Sequence, residues 1–212
     1  MMTDDSGNQV LHFTFPEFPP FGTKIITIQA DLMLSDKPNR VSVKNKKIYL
    51  QPEKYCESDN SQIIALAKTL SGATAEKTAK NIFNWVANNV KYTGYEKKPR
   101  GALFALNERK GDCTEFTSLF VALCRVNGIP SRGIGGQVAP ESAILKPSGF
   151  HNWAEFYVHG SWYIVDPQKK VFMQNSSDYI ALQIVGEPQQ NSLAGFRRFW
   201  VKDEGLKAVM EE

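Results

Sequence analysis

Helical spacing through the middle of the chain, with β-rich runs on either side of it, predicts an α+β fold rather than an alternating β-α one. Three observations carry this. Residues 59–127 contain three stretches in which apolar side chains recur at three- and four-residue steps. Residues 151–158 and 161–166 are β-rich runs joined by His159-Gly160, a two-residue hairpin signal. Residues 1–58 lack helix periodicity: Ile26, Ile28, Ala30, Leu32 and Leu34 alternate with Ile25, Thr27, Gln29, Asp31 and Met33, and 41–50 is a second β-rich run.

The first 58 residues therefore read as an N-terminal β-rich segment or subdomain, and 59–212 as the main domain. The stretch FPEFPPFG, 15–22, holds three prolines and predicts an extended connection. A helix is expected over 60–71, with Asp59 and Ser61 as capping candidates and Gly72 as its stop. A second follows over 75–90, capped by Thr74, with Ala79, Ile82, Phe83, Val86 and Val90 on one face. A third covers 113–127, between Gly111-Asp112 and Gly128 with Pro130. Its run from Phe116 to Val126 leaves little polar surface, so it should be central and packed on several sides. Beyond it come a β-rich run over 132–138, a Pro- and Gly-bounded loop over 139–150, and the hairpin. Further strands are expected near 178–185, 196–202 and 206–210.

Composition narrows the function. With 25 Lys and Arg against 22 Asp and Glu, the net charge of +3 lacks the concentrated basicity of a nucleic-acid binder. Apolar residues at 42% and charged residues at 22% suit a globular core. No window approaches the ~18 apolar residues of a membrane span. The N-terminus MMTDDSGNQV lacks a cationic start followed by an apolar run. As written, the chain is expected to be cytoplasmic, and periplasmic or secreted if it comes from a longer precursor. Three cysteines make an odd set, unlike a disulfide framework. Oligomeric state is not legible. The charge clusters at 44–47 and 96–100 read as solvated loops.

Cys113 opens the third helix, where the helix dipole is expected to lower a thiol below its free pKa of about 8.5. Cys124 lies about 16 Å further along at 1.5 Å per residue, inside the apolar run. Both it and Cys56 read as buried small hydrophobes. A thiol nucleophile needs a base, and histidine is the usual one. His12 lies in the N-terminal stretch and His159 in the turn, whereas His151 opens a strand. A turn centred on His159-Gly160 pairs residues whose numbers sum to 319, so Trp153 faces Asp166. His151, Trp153 and Asp166 then share one sheet face, with His151 and Asp166 as diagonal neighbours about 7–8 Å apart at the backbone. Asn152 should point the other way. A Cys-His-Asp arrangement follows, in which Asp166 holds the imidazole tautomer. A zinc site from the same three residues finds no CxxC or HxxxH support, and no cofactor is expected.

The blocks GDCTEFTSLFVALCRVNGIPSR and FHNWAEFYVHGSWYIVDP, with NIFNWVANNVKY upstream, closely resemble the transglutaminase-like superfamily in its bacterial and archaeal branch. The resemblance covers roughly 59–170; His151 follows Cys113 by 38 positions and Asp166 follows His151 by 15. It implies a papain-like core, with the nucleophile on a central helix packed on an antiparallel sheet. It also implies a cysteine protease or amidohydrolase acting on a protein or peptide through a thioester. The alternatives are a protein-glutamine acyl transferase with the same triad, or a non-catalytic binding module of the same fold. Thr114 follows Cys113 where animal transglutaminases have Trp, and the chain is too short for their calcium-binding extra domains. In the hydrolase reading the Cys113 N–H is one oxyanion donor. Tyr92 is a candidate second donor, although it and Trp85 read first as core aromatics, and Trp153 is a candidate site wall.

Overall fold

The computed structural model describes residues 2–3, 7–29, 31–38, 40, 43, 45–141, 144–186, 201 and 205–209. Two short strands, β1 (Met2–Thr3) and β2 (Gln9–Val10), pair antiparallel near the start. The helices begin with α1 (Ser61–Thr69) and α2 (Ala75–Asn89). Asn60, between the two expected capping residues, caps α1 by accepting the Gln62 N–H at 2.9 Å. Thr74 caps α2 as expected, accepting the Lys77 N–H at 3.1 Å.

Strand β3 (Lys91–Tyr92) and helix α3 (Ala102–Glu108) come next, then strand β4 (Lys110–Gly111), which pairs parallel with β3. Helix α3 was not foreseen. Its N-cap is Gly101 at φ 91°, with no side chain to cap it. Glu57 supplies the cap from a distant part of the chain, its Oε2 accepting the Ala102 and Leu103 N–H groups at 2.8 and 3.2 Å. A carboxylate delivered by tertiary contact leaves no local capping pattern.

Helix α4 (Cys113–Val126) is central, and every residue from Thr114 to Arg125 is buried. It packs against α1, α2 and α3 and against the sheet beyond it. That sheet comprises β5 (Ser131–Val138), β6 (Phe150–Val158), β7 (Ser161–Asp166), β8 (Val171–Phe172) and β9 (Tyr179–Val185), in the order β8-β7-β6-β5-β9 and antiparallel throughout. His159 at φ 51° and Gly160 at φ 79° both adopt the left-handed region that a two-residue hairpin needs. Register runs from Val158↔Ser161 to Ala154↔Val165, so the expected parity holds.

Alternation divides the sheet. Ala154, Phe156, Val158 and Val165 join the helical core, while Ile134, Trp153 and Tyr179 form a second cluster on the opposite face. Gly136 lets that second cluster close. A Cβ there would be driven into the Ile180 carbonyl oxygen and the Trp153 ring. Gly136→Ala should therefore cost about 3 kcal/mol. That corresponds to a fall in melting temperature of roughly 6–12 °C, readable by calorimetry.

The N-terminal expectation fares differently. Residues 23–29 and 31–35 form no strand, and Ile25, Ile28 and Met33 are largely exposed. Alternation alone does not make a strand where no described neighbour supplies a ladder partner or a covering layer. Residues 46–50 form a 3₁₀ helix instead of a strand. Residues 46–58 lie against the core: Cys56 is buried in it, and the Arg125 guanidinium donates to the Gln51 carbonyl and to Glu53, each at 2.6 Å. The expected strand over 196–202 falls, apart from residue 201, outside the described residues; 206–209 form none. No helix among the described residues is long and apolar enough to cross a membrane.

Candidate active site

The start of α4 is held by a reciprocal cap. Asp112 Oδ1 accepts the Thr114 N–H at 2.7 Å, and Glu115 Oε2 accepts the Asp112 N–H at 3.0 Å. Both carboxylates also bind the preceding loop. Asp112 Oδ2 accepts the Glu96 N–H at 2.9 Å, and Glu115, with a fully buried side chain, takes the Arg100 guanidinium and backbone N–H, each at 2.9 Å. Neither role was read from the sequence, although the Asp112-x-x-Glu115 spacing is a capping-box signature.

Strand β6 meets this helix start at two adjacent residues. The Asn152 side chain points to the helix side, as its parity requires, and donates to Thr114 Oγ1 at 3.0 Å. Its backbone N–H is directed at the Cys113 sulfur. The residues immediately after Cys113 and His151 thus pin one element to the other. His151 turns its Nε2 to Asp166 Oδ2 at 2.7 Å, and both groups are buried. With Nε2 so engaged, Nδ1 is the nitrogen left to take a proton. Asp166 is further held by the Lys169 N–H on Oδ1 and by the Tyr179 hydroxyl on Oδ2, each at 3.0 Å.

The Cys113 thiol does not have the depressed pKa expected from its helix position. Burial pushes it up to about 11, the Asp112 carboxylate adds to the rise, and the Asn152 N–H opposes both. An isolated thiolate is therefore disfavoured here, and attack by this sulfur would need a base to take its proton. Iodoacetamide labelling of Cys113 should therefore keep accelerating up to about pH 11 instead of levelling near neutrality. Stability should follow the same linkage: a raised folded pKa stabilises fully below the unfolded value of about 8.5, and that contribution is lost as pH rises toward the folded value. Cys56, pushed up to about 12, adds to this loss.

Trp153 is fully buried and stacks on His151 with centroids 6.4 Å apart and planes at 27°, so it backs the imidazole from inside. Trp85 packs on the helical core under the Arg109 guanidinium, 4.3 Å from its ring centroid. Tyr92 is not a core aromatic. It pairs with Gly111 in the β3–β4 ladder, is half exposed, and its hydroxyl has no hydrogen-bond partner among the described residues. In the loop over 139–150, Lys146 O accepts from the Gln137 side chain at 3.0 Å and Ala139 N–H donates to Asp178 O at 2.8 Å; residues 142 and 143 lie outside the described set. Among the described residues, no group of three or more metal-ligating side chains is gathered.

Residues 64–167, which carry α4, β6 and β7, match the model of the transglutaminase-like superfamily. These residues form a transglutaminase-like core. The structure of a putative cysteine protease from Cytophaga hutchinsonii is similar to it, with 28% identity and a TM-score of 0.56 over 68% of this chain and 47% of that one. The UPF0252 protein MJ1282 of Methanocaldococcus jannaschii is 26% identical over 163 residues, 71% of this chain and 45% of that protein. The periplasmic domain of TgpA from Pseudomonas aeruginosa is more distant, at 21% identity and a TM-score of 0.46 over 59% of this chain and 49% of that domain. The chain thus spans just under half the length of the relatives it matches. The transglutaminase-like core accounts for the central helix on an antiparallel sheet, the papain-like arrangement of this superfamily.

Proposed function

We propose that the transglutaminase-like core is a cysteine-dependent hydrolase of peptide or amide bonds in which Cys113, His151 and Asp166 act as a triad. The observation that carries this reading is the buried 2.7 Å bond from His151 to Asp166 beside the pinned start of the Cys113 helix. The name given to the Cytophaga hutchinsonii relative supports the same chemistry. His151 Nδ1 takes the thiol proton as the sulfur attacks the substrate carbonyl carbon. The imidazolium, steadied by Asp166, returns that proton to the departing amine, leaving a thioester. His151 then deprotonates a water that attacks the thioester, releasing the acid and restoring the thiol. The Cys113 backbone N–H, in the first turn of α4 and outside the capping bonds, is placed to donate to the oxyanion.

Water and a substrate amine compete for the same thioester. Water at about 55 M prevails unless a bound amine gains the advantage of proximity. Hydrolysis should therefore dominate. The test supplies a fluorescent primary amine with a glutamine-containing protein substrate and compares label incorporation with release of new N-termini or ammonia, with Cys113→Ala as control. Cys113-dependent incorporation exceeding the hydrolytic products would replace hydrolysis with acyl transfer.

A further inference from the structure

Tyr179 opens β9, on the far side of β5 from the strand that carries His151. It is buried, and its hydroxyl donates at 3.0 Å to the same Asp166 oxygen that receives His151 at 2.7 Å. Its ring meets Trp153 edge to face with centroids 5.0 Å apart and planes at 70°, and Trp153 in turn stacks on His151. Phenol, carboxylate, imidazole and indole therefore form one closed set, packed against each other from three strands. The Lys169 N–H fills the other Asp166 oxygen, so the phenol is the side chain that shares Oδ2 with the imidazole.

We propose that Tyr179 is a positioning residue that locks the Asp166 carboxylate and, by drawing on the oxygen His151 uses, sets the proton affinity of the imidazole. This rests on the triad reading. A neutral donor on Oδ2 spreads the carboxylate charge over two bonds and weakens its hold on an imidazolium. Burial and the Asp166 carboxylate both push the phenol pKa up, so it remains a neutral donor across the working range. The other titratable groups around this set are Cys113 and Asp112 on α4 and Asp178 beside Tyr179. The sign follows. Removing the hydroxyl returns charge to Oδ2 and favours the imidazolium, so the His151 midpoint rises; strengthening the donor lowers it.

The test follows the His151 ring by NMR through a pH titration of the resting protein, in the wild type, in Tyr179→Phe and in protein carrying 3-fluorotyrosine at 179, whose phenol is a stronger donor. Tyr179→Phe should raise the midpoint by about 0.5–1 unit. The acid limb of its pH–rate profile should move the same way, and kcat should fall by about tenfold through a looser Asp166. The fluorinated protein should shift the midpoint downward. A role in packing alone predicts no such pair of opposite shifts, so midpoints unchanged in both proteins would overturn the proposal. Should Tyr179→Phe fail to fold, the fluorinated protein decides the sign. The midpoints are read without turnover, so an active Cys113→Ala variant would remove the triad reading and leave the NMR result standing.

Discussion

Replacing His151 with Ala should lower kcat by about 10³-fold or more, because in the proposed triad it removes the group that takes the thiol proton and returns it to the leaving amine. The loss is expected to be large because burial pushes the Cys113 thiol up to about 11, leaving little thiolate to act unaided near neutrality. Asp166→Asn should approach the same loss by another route. An amide NH₂ facing Nε2 would hold the proton on Nδ1, the nitrogen meant to act as base. Both variants should melt within a few degrees of the wild type, since in His151→Ala the carboxylate still accepts from Tyr179 and Lys169. Steady-state kinetics on a peptide substrate with parallel calorimetry provides the check. Unfolding of both variants would assign the pair a structural role.

Glu115→Ala should be among the most destabilising single changes in the chain. The side chain is fully buried, completes the α4 cap, and pairs with Arg100, whose side chain is 23% exposed. Truncation leaves the Asp112 N–H and the Arg100 backbone N–H without their acceptor and the guanidinium with only the more exposed Glu96 carboxylate at 3.6 Å. The expected cost is about 3 kcal/mol. A melting temperature lower by roughly 6–12 °C should show it. Activity should fall as well, since Asp112, whose N–H Glu115 accepts, directly precedes Cys113. Glu115→Gln keeps acceptor and length and should recover part of the stability, which separates the hydrogen bonds from the charge. A loss under about 1 kcal/mol for Glu115→Ala would mean that the loop and helix start are held otherwise.

What could be read in the sequence had short-range causes. The His159-Gly160 turn fixes the β6–β7 register within a few residues, and parity then carries His151, Trp153 and Asp166 to one face. The central helix was visible because its whole run from Phe116 to Leu123 is apolar or small enough to be buried on all sides. What could not be read depends on distant partners. Helix α3 takes its cap from Glu57, and Tyr179 reaches Asp166 across the second sheet face from a strand at the other edge. The alternation over 25–34 looked like a strand, but pairing and cover decide that, and the described residues provide neither. The thiol shift reversed because burial and Asp112 outweigh a helix terminus, and burial is set by packing that the sequence does not state.

The most direct measurement of the central claim is intact mass spectrometry of the protein stopped during turnover of an activated acyl substrate. A thioester on the sulfur predicts a species heavier by the acyl group, located on the peptide that contains Cys113, lost on treatment with hydroxylamine and absent from Cys113→Ala. Turnover that persists in Cys113→Ala, or an adduct confined to Cys56 or Cys124, would contradict the account.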